Sequence, residues 1–182
     1  MVAVAGPNGA GKTTLYNTYL KQAGLRFVNA DVIARELKIG PYGAARIAAS
    51  VRDELVNQRE SFVFETVFSD PAGDKLRFLN QAARKGYTVL LCFIGLSGPS
   101  VSEDRVAMRI SQGGHDVPSD KLVERYPRIL KNLQDALREL PHVWVFDNDD
   151  LRKPYRRVVQ ARNGKVLELW RPIPKWLQPL LP

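Results

Sequence analysis

Apolar residues fall in short runs, and the stretches between them carry helical spacing. Met1 to Ala5 is an apolar run that stops at Gly6, and Thr13 to Gln22 then reads as a helix ended by Gly24. Arg26 to Asn29 is a second strand, and Asp31 to Leu37 a short helix closed by Gly40-Pro41. From Tyr42 to Gln58, Ile47, Val51 and Leu55 recur at every fourth position, which predicts one apolar face on a long helix. Ser61 to Glu65 is a strand, and Asp70-Pro71 predicts a helix start with Asp70 as cap, its end marked by Gly86.

Thr88 to Gly95 is apolar nearly throughout, the pattern of a parallel strand covered on both faces, and so belongs at the sheet centre. Val101 to Gln112 is helical until Gly113-Gly114-His115-Asp116-Val117-Pro118 breaks it; Ser119 is the expected cap of a further helix toward Arg138, which Pro127 kinks or restarts. His142 to Phe146 is a strand. Asn163-Gly164 divides Tyr155 to Trp170 into a hairpin, and the proline-rich tail from Pro172 is expected on the surface. Strands alternating with helices imply an α/β fold with a mostly parallel sheet, helices on both faces, a helical lid and a C-terminal hairpin. Its 182 residues suit one domain, 1–182, with 155–170 as hairpin and 171–182 as tail.

Composition adds limits. Of the residues, 45% are apolar, enough for a well-buried core. Val89 to Leu96 is the longest apolar run, far short of the roughly 20 residues that span a bilayer, and Met1 leads straight into a strand, so a soluble, unexported, cytoplasmic protein without membrane association is expected. Cys92 is the single cysteine, which excludes an internal disulfide. The formal charge of +8 favours anionic partners such as nucleotides, sugar nucleotides or nucleic acid.

The chemistry begins at Gly6-Pro7-Asn8-Gly9-Ala10-Gly11-Lys12-Thr13, which matches G-x-x-x-x-G-K-[ST] between a strand and a helix, as that motif requires. Glycines let backbone amides turn toward phosphates, the helix start adds partial positive charge, Lys12 reaches the β and γ phosphates, and Thr13 offers a hydroxyl to magnesium, with Thr14 beside it. The ligand is therefore ATP or GTP with Mg2+. ABC-transporter ATPases often carry the same string, but they place β-structure upstream of it and a Leu-Ser-Gly-Gly-Gln signature downstream. Here five residues precede Gly6 and Leu96-Ser97-Gly98-Pro99-Ser100 departs from the signature, so that reading is set aside.

Transfer of phosphate to a hydroxyl needs a carboxylate near the attacking oxygen. Asp31 follows the second strand, and Glu65 with Thr66 follows the third, so both carboxylates should face the crevice of Lys12. Asp31 is read as a base, with a helix-capping role compatible; Glu65 alternatively binds magnesium through water or pairs with an arginine. Arg105 and Arg109 share a helical face, and Arg125 and Arg128 lie beyond the glycine break, so four guanidinium groups are expected to converge in a lid that closes on the phosphates. Each arginine has an ordinary solvated alternative, and His115 a backbone-bonding one.

Together the P-loop, Val28-Asn29-Ala30-Asp31, Phe64-Glu65-Thr66, and Arg105 to Arg109 with Gly113 to Pro118 and Arg125-Tyr126-Pro127-Arg128 resemble the zeta-toxin family of P-loop kinases, in order, from residue 2 to about residue 150. The resemblance implies a nucleotide-kinase fold and phosphorylation of the 3′-hydroxyl of the amino sugar of UDP-N-acetylglucosamine. It implies Asp31 as base, Glu65 and Thr66 as substrate contacts with Arg125 and Arg128 beside them, and Lys12, Arg105 and Arg109 as the γ-phosphate clamp. It also brings in a small helical antitoxin as a candidate partner. The chain is shorter than the plasmid toxins and ends in its own hairpin, which weighs on substrate identity more than on kinase chemistry. Two rivals stand beside this reading. One is a polynucleotide or nucleoside kinase, drawing on the Arg152, Lys153, Arg156, Arg157 and Arg162 cluster, and the other a nucleotide-dependent switch without phosphoryl transfer.

Overall fold

A computed structural model describes residues 1–110 and 117–182, so the expected Gly113-Gly114 hinge and His115 lie outside the described residues. Seven strands form one sheet in the order β2-β3-β1-β4-β5-β6-β7. The parallel part comprises β1 (Val2–Ala5), β2 (Arg26–Val28), β3 (Phe62–Thr66), β4 (Leu90–Gly95) and β5 (His142–Asp147). β6 (Arg156–Arg162) and β7 (Lys165–Leu169) continue it antiparallel. β4 is the middle strand, as its unbroken apolar run predicts. Asn163 and Gly164 turn β6 into β7 with φ of 48° and 78°, the paired positive values of a two-residue hairpin turn.

One face of the sheet carries the larger core, where Phe62, Phe64, Leu91, Phe93, Val143 and Val145 meet α3 (Pro41–Asn57), α4 (Asp74–Arg84) and α6 (Ser119–Glu139). The other face packs Val4, Val63 and Ile94 against Leu15 and Tyr16 of the segment after the glycine loop. That segment is α-helical only over α1 (Lys12–Leu15), then π-helical over Tyr16–Leu20 and 3-10 over Lys21–Ala23 before Gly24 closes it at φ 67°. α2 (Ala30–Leu37) and α5 (Pro99–Ile110) complete the set.

Several sequence expectations are corrected. The buried stripe of α3 is Ala44, Ala48, Arg52, Leu55 and Val56, while Ile47 and Val51 are each 38% exposed. The stripe is hidden in sequence because alanine gives a weak apolar signal and Arg52 is charged; its guanidinium lies 5.0 Å from the Phe64 ring and 5.5 Å from that of Phe78. α4 starts at Asp74 after Gly73, not at Asp70, although the Asp70 carboxylate still accepts from the Lys75 N–H at 3.2 Å. Pro118 rather than Ser119 is the N-cap of α6; the Ser119 hydroxyl donates to Glu103, and Pro127 does not restart the helix. The tail is not a surface strap throughout: Trp176 and Leu177 are buried in the larger core, and a Cβ on Gly95 would stand 2.1 Å from the Trp176 ring.

Candidate active site

The parallel strands bring the ends of β1, β2, β3 and β4 to one rim. The loop leaving β1 there is forced into its path by close approach. A Cβ on Gly6 would stand 2.1 Å from the Ile94 carbonyl, one on Gly9 2.9 Å from Cβ of Arg105, and one on Gly11 2.9 Å from the Tyr155 hydroxyl. Gly6, Gly9 and Gly11 also have φ of 144°, 75° and 90°, which side-chain-bearing residues rarely adopt.

Lys12 is 6% exposed and its Nζ donates to the Pro7 carbonyl at 2.9 Å inside the loop. Burial lowers its pKa; Glu65 and Asp31 oppose that shift, and Arg109 reinforces it. Lys12 therefore feels both carboxylates and one arginine of α5. Glu65 is the hub of the site. Its Oε2 accepts from the Thr13 hydroxyl at 2.7 Å and from the Asn29 amide at 2.9 Å, and its Oε1 lies 3.8 Å from Lys12 Nζ. Asn29 is buried and its Oδ1 accepts from the backbone N–H groups of Asp31 and Val32 at 2.7 and 3.3 Å, so Asn29 is the cap of α2. Asp31 sits in the first turn with an exposed side chain that is not needed as a cap.

Thr66 accepts from the Phe68 N–H at 3.1 Å, making the turn that leaves the rim. Phe68 holds φ 63° there, a costly conformation for an aromatic residue. Burial of its ring and the bond from Asn132 Nδ2 to its carbonyl at 2.9 Å fix it.

The four arginines do not gather at one point. Arg105 donates to the carbonyls of Asn148 and Asp149 at 2.5 and 2.8 Å. Arg128 pairs with Glu124 on its own helix at 2.6 Å, and Arg125 is half-buried. Arg109 alone acts on Lys12. The basic cluster is likewise dispersed: Arg152 pairs with Asp150, Arg156 with Asp147, and Arg157 lies 5.5 Å from the Trp144 ring.

Sequence reasoning missed a brace around the glycine loop. Asn148 is 3% exposed; its Nδ2 donates to the Ala10 carbonyl at 2.8 Å and its Oδ1 accepts from the Tyr155 N–H at 3.0 Å. The Tyr155 hydroxyl donates to the Gly11 carbonyl at 2.9 Å, and burial raises its pKa, against a smaller opposing effect of the Thr14 hydroxyl. Asn29 had a readable signal, as a preferred capping type before a helix. Asn148 and Tyr155 had none.

A glycine loop ending in Lys12-Thr13, a parallel sheet in this order and a carboxylate at the end of the neighbouring strand define a P-loop kinase. Within that class the chain belongs to the zeta toxin family, whose sequence profile matches residues 41–160. An uncharacterized protein of Haemophilus influenzae is 25% identical over 126 residues, covering 66% of this chain and 88% of that one. Among solved structures, the chain superposes on AvrRxo1-ORF1:-ORF2 with ATP at TM-score 0.69 and 18% identity, covering 92% of this chain and 59% of that one. For the PezAT toxin-antitoxin system of Streptococcus pneumoniae the values are 0.62 and 15%, with 88% and 71% covered. For a gluconokinase from Sinorhizobium meliloti they are 0.53 and 22%, with 85% and 86% covered. The fold is shared with these proteins, and the chain spans 59% of the AvrRxo1 chain. Among the described residues no helix is long and apolar enough to cross a membrane.

Proposed function

We propose that this chain, read as one domain over 1–182, is a cytoplasmic ATP-dependent phosphotransferase that moves the γ-phosphate to a hydroxyl of a small molecule, UDP-N-acetylglucosamine being the first acceptor to test. The observation that carries the reading is the Glu65 hub. A carboxylate 2.7 Å from the P-loop hydroxyl of Thr13 and 3.8 Å from Lys12 Nζ belongs beside the phosphates, and Asn29 ties it to the helix that presents Asp31.

The oxygens of Thr13 and Glu65 fit a hard divalent cation such as magnesium, which binds through one or two such groups plus nucleotide phosphates. When bound, magnesium would neutralise charge on the β and γ phosphates. Glu65 thus moves from the substrate contact expected by resemblance to the metal side of the site, and Thr66 to the turn that shapes the rim. The residues of the loop, Gly6 to Thr14, bind the phosphates, with Lys12 and Arg109 on the γ-phosphate. Arg105, held by two carbonyls and packed on Gly9, positions the loop.

The acceptor hydroxyl attacks the γ phosphorus as the bond to the β,γ-bridging oxygen breaks; ADP leaves and Asp31 takes the hydroxyl proton. A general base of this kind contributes about 10²- to 10⁴-fold. Mass spectrometry of UDP-N-acetylglucosamine with magnesium-ATP and wild-type protein, with Lys12→Ala as blank, tests the reading. One added phosphate absent from the blank supports it, and no product on any hydroxyl acceptor overturns it. An antitoxin is a candidate partner because PezAT, of the same fold, is a toxin-antitoxin system; co-expression with the neighbouring open reading frame tests that.

A further inference from the structure

The sheet face that buries Val4 and Ile94 continues onto β5, β6 and β7, where its side chains are partly or fully exposed. Register and strand alternation place Trp144 and Phe146 of β5 on it, opposite Gln160 and Arg157 of β6. Trp170, whose N–H donates to the Val158 carbonyl, lines a small depression together with those four side chains. Arg162, two residues beyond Gln160, and its cross-strand partner Lys165 carry the face to the hairpin end. Three aromatic rings left partly exposed on one patch mark a contact surface rather than scattered surface residues.

Charge says what the patch meets. Elsewhere on the chain Arg128, Lys131, Arg152 and Arg156 each pair with a carboxylate. The exposed Arg157, Arg162 and Lys165 have no ion pair among the described residues, and Glu168, opposite Gln160, is the carboxylate this face carries, which leaves a surplus of two positive charges. Arg157 lies 5.5 Å from the Trp144 ring, so its planar guanidinium enlarges the aromatic platform and adds charge to it. Rings interleaved with unmatched cations suit a polyanion that also bears flat apolar groups, which is the chemistry of a nucleic acid strand. The Trp144 and Phe146 rings stand 6.4 Å apart, roughly twice the ~3.4 Å rise per nucleotide of a stacked strand, so the two can receive neighbouring bases only after those unstack, as single strands allow and duplexes do not.

We propose that the open face of β5, β6 and β7 is a docking surface for a single-stranded nucleic acid, with Trp144, Phe146 and Trp170 stacking on bases and Arg157, Arg162 and Lys165 meeting phosphates. The surface is separate from the glycine loop and does not depend on the phosphotransferase reading.

Fluorescence anisotropy of labelled 12-nucleotide oligo-U and oligo-dT, with the protein saturated by a non-hydrolysable ATP analogue, tests it. Wild type binds at least one of the two with a Kd of about 1–100 μM, and log K falls against log[salt] with a slope of about −2, as three phosphate contacts on a single strand require. Preference between the two oligomers tells RNA from DNA. Trp144→Ala weakens binding about tenfold at an unchanged salt slope. Arg162→Glu, at an exposed position that leaves the rings in place, weakens it and flattens the slope by at least about 0.7. No binding of either oligomer overturns the inference and leaves the face to a protein partner. Displacement by the ATP analogue, equal affinity for a 12-base-pair duplex, or equal binding by wild type and both variants overturns it as well, the first by moving the strand to the kinase crevice.

Discussion

Asn148 offers the sharpest test of how the glycine loop keeps its shape. Truncation to alanine deletes the 2.8 Å bond to the Ala10 carbonyl and the 3.0 Å bond from the Tyr155 N–H, both at a residue 3% exposed. Two stranded groups at about 1–3 kcal/mol each give a loss of about 2–6 kcal/mol, a drop in Tm of roughly 4–24 °C at this chain length. Tyr155→Phe removes the bond to the Gly11 carbonyl and the contact with the Thr14 hydroxyl and should cost about 0.5–1.5 kcal/mol. Because both side chains hold adjacent carbonyls of one loop, the double variant should lose less than the sum, by at least about 0.5 kcal/mol. Urea unfolding gives the stabilities, and fluorescence titration of a labelled ATP analogue gives the affinity, which should fall at least about tenfold in Asn148→Ala. A loss under about 1 kcal/mol, additive single losses, or an unchanged nucleotide affinity would each refute the brace.

Three other outcomes follow from the same geometry. Asp31→Asn should keep nucleotide affinity and lower the transfer rate by about 10²-fold or more, whereas Lys12→Ala should damage both; equal loss in the two variants counts against Asp31 as base. Glu65→Gln keeps acceptor oxygen for Thr13 but removes charge beside Lys12, so the magnesium concentration giving half-maximal rate should rise about tenfold, and an unchanged magnesium dependence excludes Glu65 from the metal side. Lys12 has a folded pKa below its unfolded value, so the unliganded fold holds fewer protons there between the two values. Stability from this group then rises with pH across that window while nucleotide affinity falls, and parallel rather than opposed slopes in melting and titration curves would contradict it.

Much of the fold was legible because it rests on local signals. The glycine loop, the apolar β4 and the Asn163-Gly164 turn each declare themselves within a few residues, and each stands where the pattern put it. The errors arise where tertiary contacts overrule local pattern. Ile47 and Val51 look like a core stripe, yet small Ala44 and Ala48 let α3 approach more closely on another face, and two phenyl rings accept Arg52 there. Prolines made the tail look like a surface strap, but Trp176 covers Gly95, where the missing side chain leaves room for the indole.

The site divides in the same way. Lys12, Thr13, Asp31 and Glu65 belong to strand ends, and a parallel sheet carries strand ends to one rim, so topology alone converts their sequence positions into proximity. The brace works through side chain to backbone bonds between residues 138 and 144 positions apart, Asn148 to Ala10 and Tyr155 to Gly11. Any residue has a carbonyl, so the partner sequence carries no mark of such a bond. The arginines fall between these cases. Helical spacing correctly puts Arg105 and Arg109 on one face, but spacing says nothing of what that face meets. It meets the loop itself: Gly9 lies under the Arg105 stem and two carbonyls take its guanidinium, which leaves Arg109, one turn on, as the cation that Lys12 feels. The two arginines therefore stand in different surroundings, Arg105 fixed against the loop and Arg109 acting on Lys12, a difference that identical residue types conceal until the packing is known.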